Sequence, residues 1–183
     1  MNNTQYNLKD FKLEQTSIWS FDKRGNWATH KGDYRGNSPP QVSRNLILKY
    51  TNEHDIVLDP FCGSGTTLIE AKLLNRKSIG IDINLPALEL TKKRLNFKCD
   101  FLYNPKLIHA NATNLKSVIS DKVIDFIFAH PPYCDIIKYS KDTTGDISLL
   151  NINDFLEQLN LFSKESFRVL KENKICTILI RRY

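Results

Sequence analysis

The stretch Asp55-Ile56-Val57-Leu58-Asp59-Pro60-Phe61-Cys62-Gly63-Ser64-Gly65-Thr66-Thr67 joins a short β-branched apolar run to a glycine-rich turn and then to a helical pattern. A strand that ends in an acid, a turn over residues 61–65 and a helix from Thr66 to Asn75 open a βαβ unit. Downstream, Ser78-Ile79-Gly80-Ile81-Asp82 reads as a second strand. Pro86 suits the first turn of a helix that runs to Phe97, with Asn84 near its cap. Leu107-Ile108-His109 reads as a weak third strand and Val123–Ala129 as the most strand-like segment of the chain. Asn153 is expected to cap a helix to Leu170, with Phe155, Leu159 and Phe162 on one face, before a fifth strand over Lys174–Ile180. Strands that alternate with helices predict an α/β fold, a doubly wound and mostly parallel sheet.

At 183 residues the chain fits one hydrophobic core, because two domains of half that size would each expose too much surface. Hydrophobic residues at 41% and charged residues at 25% exclude wholesale disorder and a fibrous class. No apolar run is long enough to span a bilayer and the amino terminus is polar, so no membrane contact and a cytoplasmic setting are expected. Residues 1–42 differ in character: aromatics (Trp19, Phe21, Trp27, Tyr34) mix with Lys23, Arg24, Lys31 and Arg35 in an irregular arm. A helix over Ser43–Tyr50 then opens the main domain, 43–183.

The net charge of +6 is concentrated at the ends: residues 1–50 hold eight Lys/Arg against four Asp/Glu, and residues 159–183 hold six against two. Basic flanks around a near-neutral middle suit a domain that offers its edges to a polyanion, although such a charge also serves solubility alone. The cysteines, Cys62, Cys99, Cys134 and Cys176, form no CxxC pair, which argues against a zinc site or a redox dithiol and for no metal at all.

Three sites carry chemistry. Glycines at the end of the first strand let a ligand approach the backbone, and the following helix offers free N–H groups. No Lys follows them, so this is not the phosphate cradle of nucleotide hydrolases, and the third glycine of GxGxxG is missing. Asp82 ends the neighbouring strand, where a carboxylate can accept both hydroxyls of a ribose or simply cap the next helix. His130-Pro131-Pro132-Tyr133 stops the fourth strand, because proline cannot continue a ladder. In a doubly wound sheet that strand lies beside the first, so both loops face one crevice. An acceptor on residue 130 and the Pro131 carbonyl can grip the two protons of an exocyclic amino group while Tyr133 stacks on its ring; a Pro-Pro turn also ends strands for structural reasons.

Together, DPFCGSGTT, GIDIN and a strand ending in HPPY resemble the amino-group methyltransferases that modify adenine N6 or cytosine N4 in DNA, over about residues 39–180. The resemblance implies a Rossmann-like sheet of the S-adenosylmethionine methyltransferase type that here lacks its last strands. It implies S-adenosylmethionine as cofactor, held by Asp59, Pro60, Phe61, Cys62, Gly63, Ser64, Gly65, Thr66 and Thr67, with Asp82 and Ile83 at the ribose and Asn111 and Ala112 beside the adenine. Ser38-Pro39-Pro40 through Asn45 is similar to the segment that covers the methionine end. His130, Pro131, Pro132 and Tyr133 match the catalytic [Asp/Asn/Ser]-Pro-Pro-[Tyr/Phe/Trp].

Two positions depart from the family pattern. Asn111 stands where Asp is frequent, keeping a hydrogen bond to an adenine amino group without the charge. His130 replaces Asp, Asn or Ser, and a neutral imidazole accepts one hydrogen bond, which it loses on protonation. Methylation at cytosine C5 would need a Pro-Cys nucleophile, and no Pro-Cys dipeptide occurs.

The implied activity is methyl transfer to adenine N6 or cytosine N4 of double-stranded DNA in a restriction-modification system, on a flipped-out base. Lys23, Arg24, Lys31, Arg35, Lys138 and Lys141 are the candidate phosphate contacts. An RNA amino-group methyltransferase and a non-catalytic cofactor-binding partner are the competing readings. The family sheet continues beyond a fifth strand and carries a target-recognition region. The chain is therefore expected to be C-terminally incomplete, with a missing segment or a second chain supplying recognition.

Overall fold

In the computed structural model, which describes residues 11–99, 103–134 and 138–180, five parallel strands form one sheet. Helix α1 (Pro40–Tyr50) leads into β1 (Ile56–Asp59), α2 (Thr66–Leu73), β2 (Lys77–Asp82), α3 (Leu85–Leu95), β3 (Lys106–His109) and β4 (Ile124–Ala129). A 3-10 turn, Ile147–Leu149, precedes α4 (Ile152–Val169) and β5 (Leu170–Ile178). The strand order is β3-β2-β1-β4-β5. β1 pairs with β2 from Ile56↔Lys77 to Asp59↔Gly80, and with β4 through Val57↔Phe126 and Leu58↔Ile127. The chain thus winds outward to β3 and returns to the other side of β1. Between β1 and β4 the connections leave in opposite directions, which opens a crevice at the carboxyl ends of these strands.

Both faces of the sheet are covered, which is why β4 is apolar apart from Asp125 and is buried along its whole length. Alternate residues of β1 split the core: Leu58 packs with Ile81, Ile127, Phe162 and Val169, and Val57 with Ile47, Ala71, Phe126 and Phe128. Phe155 and Phe162 of α4 are buried, as their shared helical face predicts.

Several boundaries differ from the sequence reading, each for a local reason. α1 begins at Pro40 rather than Ser43, because Pro40 has the φ of a first helical turn and Pro39 stands as the cap. The division at residue 42 therefore falls inside this helix. The cap of α4 is Asn151, not Asn153; its side chain accepts from Asn153 N at 3.0 Å and Asp154 N at 3.1 Å. β5 starts at Leu170, directly after α4, and ends at Ile178 rather than Ile180, with an irregular register opposite Ile124–Phe126. α2 stops at Leu73 and α3 at Leu95, each two residues earlier than predicted.

The described part of the arm is tied to the domain by a buried acid. Glu70 of α2 is fully buried; its Oε1 accepts from Trp27 Nε1 at 2.6 Å and lies 2.6 Å from His30 Nε2, and its Oε2 accepts from Arg44 Nη1 at 2.9 Å. Gln41 holds the arm as well, accepting from Gly25 N and donating to the Lys23 carbonyl. Residues 1–10 of the expected arm, and 181–183, lie outside the described residues. No helix among the described residues is long and apolar enough to cross a membrane.

Candidate active site

The glycine loop is shaped by hydrogen bonds and by left-handed backbone that glycine adopts without strain. Gly63 and Gly65 have φ of 50° and 83°. Gly63 donates its N–H to Asp82 Oδ2 at 2.8 Å, and its carbonyl accepts from Thr91 Oγ1 at 2.7 Å. Cys62 N donates to the Ile81 carbonyl at 2.9 Å, so the turn is fastened to the end of β2. Asp82 is therefore a hub: its Oδ1 accepts from Asn84 N at 2.9 Å, and the Ile83 N–H also bonds to the carboxylate. Burial raises its pKa from the ordinary carboxylate value, while the N–H groups of Asn84 and Gly63 oppose the shift.

Asp59, at the end of β1, is buried beneath this loop and accepts from Phe61 N at 3.1 Å. Burial pushes its pKa up to about 7, against the hydrogen bonds from Thr67 and Phe61. Cys62 and Thr67 are also buried.

An open cleft of about 820 Å³ lies above these groups. Asp59 to Ser64, Thr66 and Thr67 line it, with Asp82, Ile83, Asn111 and Ala112 on one side and His130 and Pro132 on the other. Gly65 does not face the cleft but caps α2 in a left-handed conformation. Pro131 is buried, and Tyr133 lies outside the lining, with its hydroxyl 2.6 Å from His130 Nε2. Burial lowers the His130 pKa, because it disfavours the charged form of the ring.

Asn111 presents a different face from the one expected. Its Oδ1 accepts from Thr113 N at 3.0 Å and Thr113 Oγ1 at 2.9 Å. A backbone N–H can only donate, so the amide orientation is fixed. The group turned away from Thr113 is the NH2, a donor.

Two further segments complete the cleft. Tyr34, Gly36, Asn37 and Ser38 come from the arm, and Tyr139, Gly145, Asp146 and Ile147 from the loop after the Pro-Pro turn. Tyr34 and Tyr139 stack across the opening with ring centroids 6.3 Å apart and planes at 26°. The loop is held by Asp146, whose Oδ2 accepts from Ser140 Oγ at 2.6 Å and whose Oδ1 accepts from Ser148 N at 2.9 Å. Asn84 Nδ2 donates to the Tyr139 carbonyl at 3.1 Å. The aromatic character of the arm was visible in the sequence; the partner residue, more than a hundred positions away, carried no local signal.

Of the candidate phosphate contacts, Lys23, Lys31, Arg35, Lys138 and Lys141 are exposed. Arg24 is not available in the same way. Its Nη1 donates to the Asn37 carbonyl at 3.3 Å, and its Nε and Nη2 are buried, so it braces the arm from inside.

The residues present fit a nucleoside cofactor. The glycine turn admits backbone approach, the Asp82 carboxylate lines the cleft, and Thr66 Oγ1 is buried there without a hydrogen-bond partner among the described residues. Such an orphaned hydroxyl is stabilised once a ligand supplies its partner.

Sequence comparison agrees with this geometry. Residues 2–93 match the profile of a family described as DNA methylase, and residues 51–180 match one described as methyltransferase domain. The type II methyltransferase M2.MboI of Moraxella bovis is 41% identical over 81 residues, 44% of this chain and 30% of that protein. The tRNA (guanine(10)-N2)-dimethyltransferase of Methanothermobacter thermautotrophicus is 32% identical over 127 residues, 68% of this chain and 34% of that protein. The chain thus spans about a third of the length of these curated relatives. A crystal structure of a SAM-dependent methyltransferase from Methanosarcina mazei superposes with a TM-score of 0.52 at 26% identity, covering 73% of this chain and 55% of that one. With the glycine loop, the Asp82 carboxylate and the Pro-Pro turn on one crevice, the chain belongs to the amino-group DNA methylase family of S-adenosylmethionine-dependent methyltransferases.

Proposed function

We propose that this protein methylates the exocyclic amino group of adenine (N6) or cytosine (N4) in DNA as part of a restriction-modification system. The observation that carries this reading is the meeting of His130 and Pro132 with the Asp59–Thr67 turn and Asp82 in one cleft. S-adenosylmethionine would supply an electrophilic methyl group there.

The chain's own groups do the rest by position. Asp82 accepts the ribose hydroxyls and the Asn111 NH2 donates to the adenine ring, while the Tyr34–Tyr139 pair limits water at the opening. The amino nitrogen of the target base is conjugated with its ring. Hydrogen bonds from its two N–H groups to the His130 ring and the Pro131 carbonyl favour the pyramidal form, whose lone pair can attack. As the nitrogen–carbon bond forms, the carbon–sulfur bond of the cofactor would break to leave a neutral thioether, and the surplus proton would pass to the His130 ring. A base in a duplex reaches the cleft only when flipped out, and the exposed Lys23, Lys31, Arg35, Lys138 and Lys141 would bind backbone phosphate.

A second reading, RNA as substrate, is favoured by one observation: the match to the tRNA dimethyltransferase extends over more of this chain than the match to M2.MboI. Transfer of labelled methyl to duplex DNA and to RNA, with nucleoside analysis of the product, separates the two. Label in N6-methyladenine or N4-methylcytosine of DNA supports the proposal. Label confined to RNA, or cofactor binding with no transfer to either, overturns it.

A further inference from the structure

His130 occupies a position where a carboxylate or carboxamide oxygen would be a ready acceptor, and an imidazole is an acceptor at only one of its two nitrogens. Which nitrogen faces the substrate therefore decides whether the residue can serve. In the structure Nε2 lies 2.6 Å from the Tyr133 hydroxyl, with the two rings edge to face at 5.6 Å. No hydrogen bond from any described residue reaches Nδ1, and the residue lines the cleft.

The covalent geometry singles out Nδ1. It is bonded to Cγ, as Oδ1 is in Asp and Asn, so it sits at the same distance from the backbone as the oxygen it replaces. Nε2 lies one bond further out, where the tyrosine of the same turn meets it. If the phenol donated to Nε2, the proton would sit on Nδ1, and the cleft would face a donor that repels an amino group. If Nε2–H donates to the phenol oxygen, Nδ1 is the bare acceptor.

We propose that Tyr133, besides any contact with the target base, is a positioning residue that accepts the Nε2–H of His130 and so fixes the tautomer whose Nδ1 receives an N–H of the substrate amino group. This rests on the reading of His130 as the amino-group acceptor. It explains how a histidine can stand in this turn: the tyrosine three residues later converts an ambiguous ring into a defined acceptor, and the two form one unit. Burial of the ring, which disfavours its charged form, works in the same direction.

The test uses the whole chain labelled with 15N-histidine, the His130 signals being those that vanish in His130→Asn. The expected spectrum has an unprotonated Nδ1 and a protonated Nε2, and Tyr133→Phe moves both toward the averaged positions of exchanging tautomers. A protonated Nδ1 in the native protein, or a spectrum that Tyr133→Phe leaves unchanged, overturns the assignment.

Kinetics supply the second arm. Tyr133→Phe keeps the ring and should lower kcat for methyl transfer by roughly tenfold, the worth of one well-placed hydrogen bond. In the His130→Asn background, where Oδ1 needs no tautomer, the same change should cost less than about twofold. Equal losses in both backgrounds overturn the coupling. If neither the native protein nor His130→Asn transfers methyl to DNA, the functional reading fails, while the spectrum still decides the tautomer.

Discussion

Gly65 and Thr91 are in contact so close that a Cβ on Gly65 would stand 2.7 Å from Thr91 Cγ2. Gly65 caps α2 and Thr91 lies in α3, so this contact sets how near the cofactor turn can approach the helix that follows β2. Gly65→Ala combines that clash with a φ of 83°, and each source of strain costs about 1–3 kcal/mol. The variant should unfold at markedly lower denaturant concentration. Thr91→Ser, which removes the offending methyl but keeps the hydroxyl bonded to the Gly63 carbonyl, should recover only part of the loss in the double variant. Full recovery would show that the backbone conformation carries no strain.

Asp59 makes stability depend on pH in a direction opposite to that of a salt-bridged acid. Burial raises its pKa from 3.8 to about 7, so over that interval the folded chain holds a proton that the unfolded chain has released. The contribution is complete below the unfolded value and is lost as pH rises through about 7. A shift of this size corresponds to about 4 kcal/mol. Asp59→Asn keeps an acceptor for Phe61 N and cannot ionise. Its stability, measured by urea unfolding across this range, should therefore fall less with rising pH than that of the native protein, and parallel curves would place the titration elsewhere.

The fold was legible because its signals are local and repeated: Ile56–Asp59, Lys77–Asp82 and Ile124–Ala129 are short segments rich in β-branched and apolar residues, each followed by polar or turn residues. Glycine and proline placed the two loops for the same reason. The parts that were not legible depend on pairings across the chain. Glu70 lies on an otherwise ordinary helical pattern, and nothing near it in sequence shows that Trp27, His30 and Arg44 converge on it. Asn111 reads as an acceptor until Thr113, two residues on, is seen to occupy its oxygen. Arg24 reads as a surface cation until its guanidinium is found inside the arm.

Glu70 is the anchor of the arm, and its removal should be felt twice. Glu70→Gln leaves Arg44 buried opposite an amide, and breaking a buried pair from one side costs about 3–5 kcal/mol. Trp27→Phe removes one donor while leaving the Arg44 bridge, and should cost about 1.5–3 kcal/mol, the range for a hydrogen bond to a charged group. Denaturant unfolding of both variants gives the comparison. A Trp27→Phe variant less stable than Glu70→Gln would mean that packing of the indole, not the acid, holds the arm.

Tyr34 and Tyr139 close the cleft from opposite sides, one from the arm and one from the loop that follows the Pro-Pro turn. Neither ring belongs to the main core clusters, so replacing one should leave the fold nearly as stable as before. The cost should appear in cofactor binding, since both rings line the cleft in which the cofactor would sit. An aromatic pair is worth about 0.5–1.5 kcal/mol beyond the area it buries, which corresponds to roughly 2- to 13-fold in affinity. Tyr34→Ala and Tyr139→Ala should each weaken S-adenosylmethionine binding by calorimetry to about that extent. Because the rings act as a pair, the double variant should bind little worse than either single one. Losses that multiply would show that each tyrosine contacts the cofactor independently, and unchanged affinity in both would remove the pair from the binding site.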